Sequence, residues 1–242
     1  SEARARDWRY QMLLQTARAE HYDHVVTGHT LTDRAETILF NLFRGSGSQG
    51  LASLQWKRNL DDRISLARPM LNLRRMDTAR FCNEFEIPYW KDVYNEDMTK
   101  SRNRIRKEIL PLIRRYLNPQ VDLALIRIGD ILSDESRYLD SIAQEALATS
   151  LTLNSSPSSS SDPRNQPTLD GTKLNQMDVA VQRRVLRRFL SQVCGTDAIS
   201  FRLVEKIRAL QHSKTPVRIS LPGKTRPILY SSRGVFEIRH NP

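Results

Sequence analysis

The spacing of apolar residues divides the chain into two parts of different character. Up to about residue 98, short apolar runs alternate with stretches of helical periodicity. The runs "HVVTGH" and "RISLARPML" predict buried strands, and Leu31 to Leu42 predicts a helix. A second amphipathic helix is predicted in residues 72–87, with its inner face formed by Leu73, Met76, Ala79, Phe81 and Phe85. Such alternation is typical of an α/β domain with a parallel sheet.

From Thr99 onward the pattern becomes mainly helical, and it closes with short strands around a Pro-Gly turn. Ser200 is predicted to cap the last helix. Residues 154–167 are rich in serine and proline, which predicts a flexible loop without chemistry of its own. The predicted fold class is therefore α/β, with a parallel-sheet domain over residues 1–118 and a mainly helical domain over residues 119–242.

Composition adds a class of partner to this picture. The 242 residues carry 38 lysines and arginines against 27 acids, a net charge of +11 that suggests a polyanion such as nucleic acid. No apolar run approaches the ~20 residues of a membrane span, and no secretory signal is visible. Cys82 and Cys194 are too isolated for a metal site or disulfide framework, so we expect a reducing, cytoplasmic location without membrane contact.

The helix after the first strand carries a candidate site. At about 100° per residue, Asp33, Glu36 and Thr37 share the face opposite the apolar stripe, and Thr30 is placed to form a capping box with Asp33. One interpretation is a solvated face whose acids are favoured by the helix dipole. The other is a ligand crevice at the carboxyl edge of the sheet, where Gly28 permits close approach, His29 contacts phosphate, and Asp33 holds a metal or an amine.

Arginines form two further clusters. Arg102 and Arg106 share a helical face, which suits phosphate, while Arg104 points away. The alternative is a solvated, charged helix start. Farther on, a basic stripe lies opposite apolar residues, and there a surface role is favoured over contact with an RNA backbone. The stripe consists of Arg183, Arg184, Arg187 and Arg188.

Two blocks resemble the bacterial tRNA(Ile)-lysidine synthetases. "TGHTLTDRAETILFNLFRGSGSQGLASL" is similar to that family's Gly-His, Asp, Glu-Thr, Arg-Gly and Gly-Leu series. "RPMLNLRRMDTARFCNEFEIPYWKDVYNEDMTKSRNRIRKEILPLI" is similar to its next block, which contains Arg-Pro-Leu, Asn-Glu-Asp and Arg-Asn-x-Ile-Arg. The specific match covers about residues 1–140. The family belongs to the N-type ATP pyrophosphatases, so the resemblance implies the C-terminal part of a Rossmann-like catalytic domain followed by a helical tRNA-binding domain.

The resemblance also implies a reaction. Members of the family use ATP to adenylate C2 of the wobble cytidine of tRNA(Ile) with a CAU anticodon, and lysine then displaces AMP to give lysidine. ATP and Mg²⁺ are the implied cofactors, tRNA(Ile) and L-lysine are the implied partners, and a homodimer is compatible with the pattern. The implied catalytic residues are Asp33, which is also the metal ligand, Arg102 and Arg106. The implied nucleotide-binding residues are Gly28, His29, Glu36, Thr37, Asn103 and Arg104.

Departures from the family pattern leave a second interpretation open. Thr30 and Arg34 stand where the family usually has histidine and glutamine. The family's Ser-Gly-Gly-x-Asp-Ser phosphate loop is not in this sequence. We therefore expect a fragment that lacks the N-terminal phosphate-loop segment and does not form lysidine alone. The alternatives are a non-catalytic tRNA-binding fragment or module and a tRNA thiolase, and the cysteine positions argue against the thiolase.

Overall fold

A computed structural model describes most of the chain, which clusters into two compact units, Ser1–Ser136 and Arg137–Pro242. The division falls inside a long helix, whereas the sequence predicts a boundary between residues 118 and 119, before that helix. The predicted serine- and proline-rich loop at 154–167 lies outside the described residues. The structure describes residues 2–52, 54–90, 93–152, 168–194, 199–213, 215–223, 227–232 and 234–239.

The first unit is built around a small mixed sheet. Strand β1 pairs in parallel with β3, and β2 pairs with the other edge of β3 in the antiparallel sense. The predicted parallel pair is confirmed, and the three-residue β2 is an addition that the pattern did not predict. The elements are α1 Glu2–Ala19, β1 His24–Val26, α2 Leu31–Phe43, α3 Ser48–Leu51, β2 Lys57–Asn59, β3 Ser65–Ala67, α4 Arg75–Glu84, a 3₁₀ turn Val93–Glu96, α5 Ser101–Arg104, a π-helical turn Ile105–Ile109, α6 Leu110–Tyr116 and α7 Val121–Ser150.

Helix α2 begins and ends where its sequence predicts. The Thr30 hydroxyl accepts a hydrogen bond from the Asp33 amide, and the Asp33 carboxylate accepts one from the Thr30 amide, so the predicted capping box is present. At the other end, Gly45 adopts a φ of +73°, a conformation that favours glycine. The helix is anchored by a cluster of buried apolar residues, Ala35, Leu39, Ile105 and Leu110.

The predicted inner face of α4 is wrong. The helix forms at Arg75–Glu84, but none of its residues is buried in the described structure. The side chains of Met76, Phe81 and Phe85 are 67%, 54% and 61% exposed, and the two phenylalanine rings contact each other at 4.6 Å between centroids. Periodicity shows that a helix has an apolar face. Burial additionally requires another element packed against that face, and local spacing carries no information on that element.

The second unit combines helices with a five-stranded antiparallel sheet of order β4-β5-β8-β7-β6. The α/β class is confirmed, but the sheet is larger than the small β ending that the pattern predicts, because two- and three-residue strands show almost no alternation. Ser200 caps the last α-helix as predicted, accepting a hydrogen bond from the Leu203 amide. The elements are β4 Leu151–Thr152, β5 Thr168–Asp170, α8 Gly171–Asn175, α9 Val179–Cys194, α10 Phe201–Ala209, a 3₁₀ turn Leu210–His212, β6 Val217–Ser220, β7 Ile228–Ser232 and β8 Val235–Arg239.

The core of this unit forms where α9 and α10 pack with the sheet. Val185, Phe189, Ile207, Leu229 and Phe236 are each at most 1% exposed. Among the described residues, no helix combines the length and apolar character that a bilayer crossing requires.

Candidate active site

The carboxyl ends of β1 and β3 bring two predicted site residues to one edge of the sheet. Parallel strands end at the same edge, and the Thr27 amide extends the pairing by donating to the Ala67 carbonyl at 3.0 Å. The Nδ1 atom of His29 lies 2.9 Å from the Thr27 hydroxyl. Gly28 is exposed, and a Cβ atom there would lie 3.0 Å from the methyl carbon at the tip of the Met70 side chain.

The acidic face of α2 is buried, which excludes the interpretation of a solvated helix face. Asp33 is 7% exposed and Glu36 is 0% exposed, although Leu31, Ala35 and Ile38 on the opposite side are buried as well. A carboxylate without water must receive hydrogen bonds or countercharges from protein groups. The neighbours of these two acids therefore define the site.

Glu36 is held by the arginines of the second cluster. Arg106 donates from Nε to Glu36 Oε1 at 2.6 Å and from Nη2 to Oε2 at 2.8 Å, a bidentate pair. The Nε atom of Arg102 lies 3.5 Å from Glu36 Oε2, and its Nη2 donates to the Thr37 hydroxyl at 3.0 Å. The prediction that Arg102 and Arg106 share one face is confirmed.

A π-helical turn carries Arg106 in this arrangement. Pro111 sits at the start of α6 and has no amide hydrogen for the preceding turn, which accounts for the local departure from α-helical bonding. Arg106 Nη1 also donates to Asn95 Oδ1 at 3.0 Å. The guanidinium is thus fixed by Glu36 and Asn95, which prepares it in advance of any ligand.

The two oxygens of Asp33 have different roles. Oδ2 accepts hydrogen bonds from both the amide and the hydroxyl of Thr30, each at 2.8 Å. Oδ1 faces Arg106 Nη2 at 3.3 Å and Arg75 Nη2 at 3.5 Å, both longer than a strong charge-assisted hydrogen bond. Oδ1 is therefore the carboxylate oxygen that an incoming cation would engage.

Hydrogen bonds and ion pairs within this cluster favour the charged forms of Asp33 and Arg106. Burial acts to raise the pKa of Asp33, but the hydrogen bonds from Thr30 and the charges of Arg75 and Arg106 outweigh it and lower the pKa below its ordinary 3.8. The hydrogen bond to Glu36 raises the pKa of Arg106 above its ordinary value. Both groups are ionised at neutral pH, so the site presents fixed positive and negative charge.

The surroundings of His29, at the sheet edge, favour its neutral form, in contrast to Asp33 and Arg106. Burial is the main cause that lowers the pKa of His29 below 6.5, and the nearby Arg68 guanidinium adds to it. His29 is therefore mostly neutral at pH 7 and offers one donor and one acceptor.

We predict that His29 makes the folded chain less stable as the pH falls. Its folded-state pKa lies below the unfolded value, so the unfolded chain binds more protons near pH 6, and the free energy of unfolding decreases as the pH drops through that window. Because the ring is only half-buried, we expect an effect below about 1 kcal/mol. Urea unfolding of the wild type and of His29→Gln at about pH 7 and pH 5 tests this. Equal pH dependences would contradict it, and His21→Gln in an exposed turn is the control.

The structure gathers five of the predicted site residues into one cluster, Asp33, Glu36, Thr37, Arg102 and Arg106. Asn103 instead donates to the Asp97 carbonyl, which orders the turn before α5, and Arg104 donates to the Met98 carbonyl.

Sequence reasoning missed three residues of this region, Arg75, Asn95 and Arg68. Arg68 is 2% exposed and donates to the Gln55 carbonyl at 2.7 Å. Arg68 and Asn95 each stand in a block quoted for the resemblance, which was the available signal.

The site has limited capacity for a metal ion. No group of three or more metal-ligating side chains is found among the residues that the structure describes. Glu36 gives both oxygens to Arg106, so Asp33 Oδ1 is the one carboxylate oxygen of this pair still open to a cation. Mg²⁺ is commonly held by one or two carboxylates together with substrate phosphates and water, and Asp33 fits that pattern.

Three of the four arginines of the basic stripe on α9 have partners within their own unit. Arg183 pairs with Glu205 at 2.8 Å, and Arg184 pairs with Asp140 at 2.8 Å. Arg187 donates to the Ile199 carbonyl at 3.1 Å. These contacts favour the surface role predicted for the stripe over contact with an RNA backbone.

A parallel strand pair with a charged cluster beside its carboxyl ends is typical of α/β domains that bind a ligand at that edge, and comparison with known families specifies the class. Residues 1–113 match a family model described as a PP-loop domain, and residues 169–234 match one described as a TilS substrate binding domain.

Curated relatives carry one name. The tRNA(Ile)-lysidine synthase of Nostoc sp. is 41% identical over 100% of this chain and 69% of its own length. The enzyme of Synechocystis sp. is 40% identical over 93% of this chain and 66% of its own length. The enzyme of Gloeobacter violaceus is 43% identical over 81% of this chain and 56% of its own length. The chain belongs to the tRNA(Ile)-lysidine synthase family, and it spans between about half and about two thirds of the length of such relatives.

These comparisons confirm the predicted family and favour an ATP-using, tRNA-modifying ligase over the non-catalytic alternative. Among solved structures, the U34-tRNA thiolase NcsA from Methanococcus maripaludis is 18% identical, with a TM-score of 0.46 over 55% of this chain and 44% of that one, a likeness too low to support a functional argument.

Proposed function

We propose that this chain forms part of an enzyme that joins lysine to C2 of the wobble cytidine of tRNA(Ile) with a CAU anticodon. The proposal rests mainly on the Asp33, Glu36, Arg102 and Arg106 cluster, which sets buried carboxylates and guanidinium groups side by side. ATP supplies the activating AMP group. The cytosine O2 attacks the α-phosphorus of ATP and pyrophosphate leaves, after which the amine of lysine attacks C2 and AMP leaves with O2.

The arginines are suited to the phosphate steps. Adenylation redistributes negative charge over the phosphates, and guanidinium groups held in place before the reaction stabilise such charge without reorganisation. Arg106 is fixed by Glu36 and Asn95, whereas the Arg75 side chain is 51% exposed and has one long contact with Asp33. In this proposal Arg102 and Arg106 form the fixed wall, and Arg75 is free to reach a phosphate.

Asp33 is suited to the lysine step. Its Oδ1 atom has two long contacts with guanidinium groups, so an ammonium group that enters the site finds an ionised and poorly satisfied oxygen. The same oxygen is the candidate ligand for Mg²⁺, which would supply charge neutralisation at the phosphates. Gly28, His29, Thr37, Asn103 and Arg104 remain proposed nucleotide-binding residues, with Asn103 acting by ordering the start of α5.

The partners implied are tRNA(Ile) and L-lysine, and the net charge of +11 suits the first of them. A homodimer and a cytoplasmic location remain part of the proposal.

Lysine incorporation into a tRNA transcript tests the proposed reaction. The full-length protein is incubated with ATP, Mg²⁺, labelled lysine and a tRNA(Ile) transcript with a CAU anticodon. We expect AMP release that depends on both lysine and tRNA, together with labelled tRNA. A transcript without the wobble cytidine is the control, and absence of labelled product with an ATP-binding protein would contradict the proposal.

A further inference from the structure

A groove of about 530 Å³ lies between the C-terminal end of α2 and the α5–π segment, in the first unit. Its apolar lining consists of Phe40, Phe43, Ile105 and Ile109, and its charged lining consists of Arg44 and Arg104. Among the residues that the structure describes, no acidic side chain lines the groove. The groove therefore combines aromatic surface with positive charge, and apart from Arg104 its lining residues named above have no part in the proposed chemistry of ATP and lysine.

The groove lies along the same face of α2 as the acidic residues, toward the C-terminal end of the helix. Phe40 and Arg44 follow Asp33 by seven and eleven residues, close to two and three turns of an α-helix, so all three lie on the same face. At 1.5 Å per residue, Phe40 is about 10 Å and Phe43 about 15 Å from Asp33 along the helix axis. The α5–π segment forms the other wall of the groove. Its Arg102 and Arg106 side chains contact the Glu36 carboxylate, whereas its Arg104 side chain lines the groove.

The aromatic and cationic side chains are accessible. Phe43 is 59% exposed, although it is a large apolar residue. The Arg44 guanidinium carbon lies 5.1 Å from the centre of the Phe40 ring, a cation–π contact that holds the charge at the groove. Arg104 is anchored by the hydrogen bond from its Nε to the Met98 carbonyl at 2.6 Å.

We propose that this groove binds an unstacked nucleotide of the RNA substrate, adjacent in the strand to the nucleotide that reacts. The base stacks on Phe43 at the mouth of the groove, and its phosphate lies between Arg44 and Arg104. Single-stranded RNA is commonly bound in this way, with bases on aromatic rings and phosphates on arginines. The inference rests on the proposed function, because that function places the reacting cytidine near Asp33.

The lining favours RNA over an apolar protein segment. A helix of a protein partner would cover Phe43, but it would also remove Arg44 and Arg104 from water without a countercharge, which is costly. A nucleotide supplies a ring for the aromatic surface and an anion for both arginines.

Binding of the tRNA(Ile) transcript by full-length variants tests this inference. We expect Phe43→Ala to weaken the affinity for tRNA about 10-fold, because one stacked base is lost. Phe43→Tyr keeps the ring and should bind like the wild type. Arg44→Gln should weaken binding and reduce the slope of affinity against salt concentration by about 1. The affinity for ATP should not change in these variants, which also shows that they are folded.

Leu42→Ala is the matched control, because Leu42 is exposed on the same helix and does not line the groove. Unchanged tRNA affinity in Phe43→Ala and Arg44→Gln would overturn the inference. A change in oligomeric state by sedimentation without a change in tRNA affinity would also overturn it, in favour of a contact between copies. If the wild type binds tRNA but forms no lysidine, the proposed function fails, whereas the binding test of the groove still gives its own answer.

Discussion

Replacing Glu36 by glutamine is expected to lower the free energy of unfolding of the chain by about 3 kcal/mol. The Glu36 side chain is fully buried and receives both donors of the Arg106 fork, with Arg102 close by. Glutamine keeps one acceptor but removes the carboxylate that pairs with both donors of Arg106, which leaves the longer 3.3 Å contact with Asp33 as its remaining ion pair, and the loss of the bidentate pair dominates the cost. Urea unfolding followed by far-UV circular dichroism measures the change.

A surface pair and a double variant make this result specific. Glu96 pairs with Lys107, and its side chain is 75% exposed, so Glu96→Gln should change the stability by less than about 0.5 kcal/mol. Replacing Arg106 by glutamine in the Glu36→Gln background should cost less than the same substitution in the wild type, because the pair no longer exists. Equal effects in both backgrounds would show that the two side chains do not interact.

Replacing Asp33 by asparagine is expected to reduce lysine incorporation by the full-length protein roughly 100-fold. The substitution removes the charge from the oxygen that faces Arg75 and Arg106, which the proposed function assigns to the substrate ammonium or to Mg²⁺. Initial rates at several lysine and Mg²⁺ concentrations measure the loss. A raised KM for lysine with an unchanged dependence on Mg²⁺ would identify the amine as the group that Asp33 binds.

Thr30→Ala separates the two roles of Asp33. Asp33 also completes the capping box of α2, so its replacement weakens the helix as well as the site. Thr30→Ala removes the capping hydroxyl and keeps the carboxylate, which should cost about 1 kcal/mol of stability and only a small part of the activity. If Thr30→Ala loses as much activity as Asp33→Asn, the effect of Asp33 is structural and its proposed role in the reaction is wrong.

Contacts between residues close in sequence made part of the site predictable. The capping box of Thr30 and Asp33 joins residues three apart, and Arg102 and Arg106 are four apart, so helical geometry alone places each pair. The resemblance added the expectation that these separate segments serve one site. It did not show that Glu36 and Arg106, 70 residues apart, form a bidentate pair, since two helix faces meet only after packing.

A buried charged residue outside the site, Arg34, also could not be predicted from local sequence. Arg34 is 5% exposed and pairs with Asp130, 96 residues later, although its position among polar residues gives no sign of burial. The short strands β4 and β5 were likewise missed, because their pairing with each other and with β8 supplies the hydrogen bonds that two or three residues cannot supply alone. The apolar face of α4 is the converse case, a strong pattern without burial in the described structure.

The sequence by itself determined most of the longer helices, the caps at Thr30 and Ser200, the parallel pair of strands and the family, because these depend on residues close together or on motifs with fixed spacing. Only the tertiary structure decided that the acidic face of α2 is buried, which oxygen of Asp33 stays open, and that Arg104 lines a separate groove. These properties depend on distant segments packing together, and the free energy of a buried charge depends on the partners that such packing provides.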